Sequence, residues 1–399
     1  MRIPFLTSSD RKSTGSRKAA PKQKRATTPI AAAYYPDWSS DSVPPSSLDF
    51  SKFDVLLFAF ATPNSSNGIS WDDGSTSTLK SLVSAAHNSG HGTKVVLSIG
   101  GWSGSQSFSQ VMKDANRGTF VKACVDAVNK YISMGLTSTG LEYPNEDGAG
   151  NPHSSSDAAN LLSFFTSLRS AIGSDKIISA AVTDLPWTGS DGNPLKDVSA
   201  YADQMTYANI MNYDIFAMDR RRFPANQLML GLPLYGYVSK STKTSLTDGT
   251  LQHTNGSDLE AYREEVLGLA GKSYAAAQAP ADLDEADKAG EPVYMASGDL
   301  SSYYGQQIAF SDLISSGVLK EASGTFSAAN GYTYALDNCS DTPFIYDTSR
   351  KTVVLTTTHR RSPTKPIREE LWARRRFHLV LDQDYNYALQ NAIRSGLGL

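Results

Sequence analysis

The sequence has little material for covalent cross-links or for a metal site. Cys124 and Cys339 are the only cysteines among 399 residues, which excludes a disulfide scaffold, allows at most one bridge and offers no metal-ligand spacing. Cys124 falls at an apolar position of a helical pattern, so we predict a buried free thiol there. The six histidines form no ligand cluster in the sequence. We therefore expect neither a metal ion nor another cofactor.

Long apolar segments are also missing. No run approaches the roughly 18 consecutive apolar residues of a transmembrane helix, so no membrane association is predicted. The first 30 residues lack the apolar segment of a signal peptide, because residues 3–6 are followed at once by polar and basic side chains. The sequence itself therefore gives no sign of export.

The body of the chain lacks a surplus of positive charge. The formal net charge is −3, but residues 1–30 hold eight of the 37 Lys and Arg and only one of the 40 acids, Asp10. The remainder has 29 basic and 39 acidic residues, a formal charge of −10. A nucleic-acid groove needs excess Lys and Arg to neutralise phosphates, so we expect none on the main fold. Residues 1–28 are predicted to be a disordered basic tail.

What the sequence does contain is a regular alternation of short apolar runs and amphipathic helical patterns. Typical buried strands are the runs 31–35, 55–60, 94–99, 177–182, 207–213 and 227–232, and one more strand is expected to end at residues 141–144. Helical spacing lies between them, for example around Leu161 and Phe165, where Gly173 marks the end. A helix through Cys124 is predicted to end at Gly135. This alternation predicts βα units on a parallel sheet.

Seven such strands in about 200 residues favour an α/β fold of the (β/α)8 TIM barrel type over a doubly wound open sheet. A Gly-rich phosphate loop, typical of the open sheet, is missing after the first strand. We place barrel strands one to seven in residues 29–237 and strand eight with the last helix in residues 353–399. Residues 238–352 break the rhythm and are predicted to be an α+β insertion between strands seven and eight.

Aromatic and polar side chains gather where the predicted strands end, which is the edge that carries the active site in such barrels. The strand ends contain Tyr34, Asp37, Trp38, Gly101, Trp102, Glu142, Tyr143, Asn212, Tyr213, Asp214 and Tyr235. Flat aromatic faces with a few carboxylates and amides suit a carbohydrate, whose ring faces stack while its hydroxyls need oriented hydrogen bonds. Glu142 is the expected general acid, since an apolar pocket raises the pKa of a carboxyl toward neutrality. Asp214 either orients the substrate, tunes the pKa of Glu142 or caps a loop.

Five motifs occur in order on successive predicted strands. They are YYPDW at 34–38, LLFAFA at 56–61, KVVLSIGGW at 94–102, EYP at 142–144 and MNYD at 211–214. Together they resemble glycoside hydrolase family 18, the chitinases and chitinase-like proteins, with the closest likeness to fungal members. SIGGW is the most specific piece, and the resemblance covers about residues 30–240.

The resemblance implies substrate-assisted, retaining hydrolysis of β-1,4-linked N-acetylglucosamine. Glu142 would protonate the glycosidic oxygen while the substrate's acetamido oxygen attacks the anomeric carbon; Tyr213 would hold the acetamido group and Asp214 would contact the sugar. The other implied substrate-binding residues are Tyr34, Trp38, Phe60, Gly101, Trp102, Tyr143, Met211, Tyr235 and Trp372. We expect a monomer whose partner is chitin or a chitooligosaccharide, and family resemblance implies an extracellular location.

The sequence departs from the family at the fourth strand. The family motif reads Asp-x-x-Asp-x-Asp-x-Glu, whereas residues 135–144 read GLTSTGLEYP, so its aspartates and the usual tryptophan are absent. This segment can be aligned with the family motif from Gly135 or from Gly140, and the two alignments differ in how many residues are missing. Only eight residues separate Asp214 from Phe223, and residues 356–376 carry seven basic residues where the last strand is expected. Either Trp372 is the tryptophan that ends the family's last strand, or residues 377–381 form this strand without the tryptophan. Imperfect strands four, six and eight are therefore predicted.

The family resemblance predicts hydrolysis of chitin, and two alternatives to it remain open on the sequence. The predicted function is that of an active chitinase that relies on Glu142 and Tyr213. The first alternative is a chitin-binding, lectin-like protein that kept the aromatic cleft and lost the catalytic aspartates. The second alternative is a mis-spliced gene model of an active chitinase, because short losses cluster at strand ends.

Overall fold

A computed structural model of the chain describes residues 29–101, 103–131, 135–139, 151–183, 186–211, 223–241, 297–337, 342–355, 375–378 and 380–399. The strands are β1 Ile30–Pro36, β2 Val55–Pro63, β3 Ile69–Trp71, β4 Lys94–Gly100, β5 Gly135–Thr139, β6 Ile177–Val182, β7 Tyr207–Ile210, β8 Leu228–Leu232, β9 Tyr235–Lys240, β10 Gln307–Ala309, β11 Leu319–Ala322, β12 Thr325–Ala328, β13 Thr333–Asp337, β14 Thr342–Asp347, β15 Thr352–Leu355 and β16 Arg375–His378. The α-helices are α1 Ser75–Asn88, α2 Phe108–Val111, α3 Asp114–Tyr131, α4 Asp157–Ile172, α5 Ser199–Ala202, α6 Phe310–Ser315 and α7 Ala388–Leu397.

The central sheet has nine strands in the order β1-β16-β8-β7-β6-β5-β4-β2-β3, and β1 also pairs with β2. Eight strands run parallel, while the short β3 pairs antiparallel with β2. The hydrogen-bonded order therefore returns to its first strand. Strands one to eight of the sequence prediction correspond to β1, β2, β4, β5, β6, β7, β8 and β16.

The first strands are continuous apolar runs because both faces of a parallel sheet are covered. Every residue of β1 after Ile30 is buried, and β4 is buried after Lys94. The covering helices bury one face each: α3 and α4 meet through Phe120 and Phe164, whose ring centroids are 5.4 Å apart. None of the described helices is long and apolar enough to span a membrane.

Helix α4 ends where its sequence predicts, and a buried aspartate begins it. The buried Asp157 side chain accepts the backbone N–H of Ser154 at 2.7 Å and the hydroxyl of Ser109 at 3.0 Å. These hydrogen bonds compensate a carboxylate that would otherwise be costly to bury. At the other end Gly173 has φ +83°, a conformation that L side chains rarely adopt, so the helix stops at Ile172.

The position of strand β5 shows that Gly135 was wrongly predicted to end a helix, and it distinguishes between Gly135 and Gly140 as the start of the fourth strand. Gly135 does not end a helix: it is the first residue of β5, opposite Ile177 of β6. Leu136 pairs with Leu97 of β4, so this strand begins at Gly135 rather than at Gly140. β5 has five residues and pairs in continuous register with both neighbours.

The other two strands expected to be imperfect are short as well. β7 is formed by four residues, Tyr207–Ile210, where the sequence suggested 207–213; residues 212 and 213 lie outside the described residues. β16 also has four residues, Arg375–His378, and pairs with β1 and β8. This strand contains Phe377, whereas Trp372 lies outside the described residues.

Between β8 and β16 the chain forms a second, antiparallel sheet in the order β10-β9-β15-β14-β13, with the hairpin β11–β12 beside it. One face of this sheet is a fully buried core that includes Val238, Ile308, Ile345 and Val354. The same apolar cluster contains residues of α6 and, from the last helix, Leu389. The inner face of the second sheet is therefore covered by helices of both the insertion and the main fold.

Two acidic side chains lie where α6 meets the segment before α7. Burial first, and then the nearby Asp382 carboxylate, raise the pKa of Asp312. Asp382 accepts the Ser39 hydroxyl at 2.6 Å, and Tyr303 also interacts with Asp312. The folded state binds the Asp312 proton more tightly than the unfolded chain does. The contribution of Asp312 to stability is therefore lost as the pH rises above the ordinary pKa of an aspartate.

We expect Asp312→Asn to melt at a higher temperature than the wild type at pH 7 and at the same temperature near pH 3.5. Asparagine keeps the volume and removes a charge that is repelled by Asp382. Melting curves followed by circular dichroism between pH 3.5 and 8 measure the difference. The exposed Asp203→Asn is the matched control and should follow the wild type; a wild-type-like profile for Asp312→Asn would contradict the assignment.

Candidate functional site

Three aromatic rings form a row at the C-terminal end of β1 and β2. The Trp38 and Phe60 ring centroids are 6.2 Å apart, and those of Phe60 and Tyr34 are 6.3 Å apart. Tyr34 is buried, Phe60 is half-buried, and Trp38 is 40% exposed. Exposure thus increases along the row, and the outermost ring presents an apolar surface to solvent.

Gly101 follows β4 and lies against this row. Its φ is +93°, and a Cβ at this position would be 3.2 Å from a ring carbon of Phe60. A side chain here would be strained by the backbone conformation, and the Phe60 ring would have to shift by a few tenths of an ångström. The Gly101 carbonyl accepts the Ser105 hydroxyl at 2.5 Å, which fixes the turn after the strand.

The turn that holds Trp38 is anchored on both sides. Asp37 is buried, which raises its pKa, and the nearby Ser75 hydroxyl at the start of α1 partly offsets this effect. Ser39 donates to Asp382, and the Tyr35 hydroxyl donates to the Val43 carbonyl at 2.8 Å. Because its neighbours are fixed, the Trp38 ring is pre-organised, which lowers the entropic cost of binding a ligand.

Below the aromatic row, polar side chains from β1, β4, β6 and β7 lie close together. The Tyr34 hydroxyl lies beside the side chains of Asn209 and Ser98, and Asn209 Nδ2 donates to Ser179 Oγ at 3.4 Å. All four residues are buried, and burial raises the pKa of Tyr34, so it remains a neutral phenol. The sequence analysis did not identify this cluster. The available signal was a polar residue within otherwise apolar runs, as in YANI of β7.

The structure brings together four of the residues expected at the site: Tyr34, Trp38, Phe60 and Gly101. Met211 is buried directly after β7, where its N–H donates to the Val182 carbonyl at 2.9 Å. Tyr235 is buried at the start of β9, with its ring 5.7 Å from that of Tyr237. The remaining candidates lie outside the described residues: Trp102, Glu142, Tyr143, Tyr213, Asp214 and Trp372.

Strand β5 carries no carboxylate. Its sequence is GLTST, and the first glutamate that follows is Glu142, three residues beyond its last residue. The described part of the chain contains no group of three or more His, Cys, Asp or Glu side chains that could hold a metal ion. Cys124 is a buried free thiol in α3, as the helical pattern predicts, and burial raises its pKa.

A family model and two related proteins each match most of the chain. A family model described as glycosyl hydrolases family 18 matches residues 30–361. A chitinase-like effector of Moniliophthora roreri is 29% identical over 362 residues, 82% of either chain, and one of Moniliophthora perniciosa is 30% identical over 365 residues, 82% of this chain and 77% of the relative.

Solved structures superimpose on most of the chain. A chitinase from Rhizomucor miehei superimposes with a TM-score of 0.66 at 24% identity, covering 92% of this chain and 99% of the other. A class V chitinase from Nicotiana tobaccum gives a TM-score of 0.63 at 15% identity, covering 93% and 99%. At these identities the likeness establishes the fold, a TIM barrel architecture. The matched family model, which spans well over half of the chain, establishes more: the chain belongs to glycosyl hydrolase family 18.

Proposed function

We propose that this protein binds chitooligosaccharides at the C-terminal edge of its parallel strands. The observation that carries the proposal is the exposed Trp38 ring, held 6.2 Å from Phe60 on a turn anchored by buried side chains. Rings of this kind stack on the apolar face of a sugar. Several related structures are described as complexes with N-acetylglucosamine oligomers, which supports this ligand class.

Binding without efficient hydrolysis is the form of this function that the residues favour. The strand that carries the family's aspartates is GLTST here, so the charges that stabilise the transition state are missing from β5. Losing preorganised groups of this kind lowers kcat by about a hundredfold to a thousandfold. Two relatives bear the name chitinase-like effector rather than chitinase, which agrees with this proposal.

Hydrolysis is the second candidate, because Glu142 remains in the sequence after β5. By family resemblance Glu142 would donate a proton to the glycosidic oxygen, the acetamido oxygen would attack the anomeric carbon, and Glu142 would then activate water. Tyr213 would hold the acetamido group, and Asp214 would contact the sugar. Trp102, Tyr143 and Trp372 would complete the substrate-binding surface.

We also propose how the chain is divided into a barrel, an insertion and a tail. We place a closed (β/α)8 barrel in residues 29–237 and 353–399, with residues 238–352 as its insertion and residues 1–28 as a basic tail. The pairing of β1 with both β2 and β16 supports closure. The proposed protein is an extracellular monomer.

We expect purified wild-type protein to bind an N-acetylglucosamine trimer in calorimetry and to release little product from the hexamer. Turnover should be at least about a hundredfold below that of a family-18 enzyme with intact aspartates. Glu142→Gln is isosteric, so its affinity for the trimer should equal that of the wild type.

Two outcomes would contradict the proposal. Fast turnover that disappears in Glu142→Gln would make the protein a chitinase that works without the β5 aspartates. Absence of both sugar binding and a cooperative melt would indicate that a mis-spliced chain is being studied.

A further inference from the structure

A tight turn joins β2 to β3, at the edge of the parallel strands that carries the aromatic row. The two strands pair antiparallel, and the turn between them is closed by backbone hydrogen bonds. The Asn64 N–H donates to the Gly68 carbonyl at 3.0 Å, and the Asn67 N–H donates to the Asn64 carbonyl at 3.0 Å. Residues 64–68, here called the β2–β3 turn, therefore form a defined hairpin loop.

The β2–β3 turn contains an acceptor triplet for N-linked glycosylation. The triplet is asparagine, then any residue except proline, then serine or threonine. The sequence has three such triplets, which begin at Asn64, Asn255 and Asn338. Asn255 and Asn338 lie outside the described residues, so the structure shows the surroundings of the Asn64 triplet alone.

The side chain of Asn64 uses its oxygen to hold the turn and keeps its nitrogen at the surface. Oδ1 accepts the N–H groups of Ser66 at 3.0 Å and of Gly68 at 2.9 Å. Nδ2 donates to the hydroxyl of the exposed Ser70 at 3.1 Å. A glycan replaces one of the two Nδ2 hydrogens, so Oδ1 keeps both of its hydrogen bonds and Nδ2 keeps one hydrogen to donate. The turn therefore retains its Oδ1 bonds when Asn64 is modified.

The triplet lies at the surface of the fold. Ser65 and Ser66 are exposed and Asn64 is half-buried, which suits a bulky, hydrophilic modification. Gln110 of α2 supports the turn: its Nε2 donates to the Ser65 carbonyl at 2.8 Å and to Asn67 Oδ1 at 3.0 Å. These supporting bonds do not involve the Asn64 amide nitrogen, to which a glycan would be attached.

We propose that Asn64 is an acceptor of an N-linked glycan when the protein is exported. The co-substrate is an oligosaccharide linked to a lipid pyrophosphate. A bond forms between Asn64 Nδ2 and C1 of the first N-acetylglucosamine, and the bond from C1 to the pyrophosphate oxygen breaks. The lipid pyrophosphate leaves with the electron pair, and a base of the transferase takes one Nδ2 proton. This inference rests on the extracellular location proposed above.

The attachment point is near the candidate site but outside its aromatic row. Asn64 directly follows β2, four residues after Phe60. A strand rises about 3.3 Å per residue, so about 13 Å of chain separates the two residues. A glycan on Asn64 is therefore compatible with stacking of a sugar on Trp38.

The test uses the full chain secreted from yeast behind a signal peptide. Peptide N-glycosidase F removes N-linked glycans and converts their asparagine to aspartate, which heavy-oxygen water labels. Mass spectrometry of the tryptic peptide 53–80 should find this label on Asn64 in the wild type. Ser66→Ala breaks the triplet and should remove the label from Asn64 completely. Ser65→Ala is the matched control: it removes the neighbouring exposed hydroxyl, leaves the triplet intact and should keep the label.

The other outcomes are distinct. Secreted wild type without the label on Asn64, a label on Asn67 in its place, or a label on Asn64 that persists in Ser66→Ala overturns the inference. Calorimetry with the N-acetylglucosamine trimer on the same protein separates this result from the proposed function. A labelled Asn64 in a folded protein that does not bind the trimer would support the glycosylation site and contradict the proposed function.

Discussion

Replacing Gly135 with alanine is expected to prevent the chain from completing its parallel sheet. A Cβ on Gly135 would lie 2.1 Å from the carbonyl oxygen of Ile177 and 2.6 Å from its nitrogen. Backbone atoms of the partner strand cannot move aside as a flexible side chain can, so β5 and β6 would have to separate. We expect a loss of about 4 kcal/mol or more in the free energy of unfolding. Because domains are stable by only about 5–15 kcal/mol, this loss would remove a large part of the stability of the fold.

Gly118→Ala is the matched control for this experiment. Gly118 lies in α3, has nothing within 4 Å of its built Cβ, and does not have a positive φ. Alanine is favoured over glycine in a helix by about 0.5–1 kcal/mol, so this variant should be slightly more stable than the wild type. Urea unfolding followed by circular dichroism measures both. A Gly135→Ala protein as stable as the wild type would mean that β5 does not begin at Gly135.

Replacing Trp38 with alanine should weaken binding of the N-acetylglucosamine trimer by about a hundredfold, measured by calorimetry. A central, pre-organised tryptophan contributes about 2–4 kcal/mol when truncated, and 1.4 kcal/mol corresponds to tenfold in affinity. The ring is 40% exposed and its contact is with the half-buried Phe60, so little core packing is lost. The melting temperature should therefore remain close to that of the wild type.

Two further variants make the Trp38 experiment specific. Trp38→Phe keeps a flat ring on the same turn and should recover a large part of the affinity. Leu399→Ser removes another exposed apolar side chain and should have no effect on the trimer. Trimer affinity that is unchanged in Trp38→Ala would place the sugar at another surface and contradict the proposed function.

The sequence predicted the regular elements well where local patterns are strong. The apolar spacing before Gly173 gave helix α4, and the run at 177–182 is β6 without change. In both segments the local propensity and the burial pattern agree. At Gly135 they do not: a glycine after an amphipathic helix normally marks its end, yet here the glycine is required because another strand's backbone approaches it.

The same contrast between local sequence patterns and contacts of distant strands applies to the candidate site. Motif order on successive strands identified the family and, with it, Tyr34, Trp38, Phe60 and Gly101, because the C-terminal ends of parallel strands meet at one edge. The cluster of Ser98, Ser179 and Asn209 around the Tyr34 hydroxyl was missed, since these residues come from separate strands and none has a distinctive neighbour in sequence.

The α/β class, the family and the absence of aspartates from the fourth strand could be predicted from the sequence, because these depend on composition, periodicity and residue order. Only the tertiary structure decided where β5 begins and how far Trp38 is exposed. The reason is physical: register, close backbone approach and exposure depend on residues that are distant in sequence, and each is fixed only when strands from different parts of the chain pair.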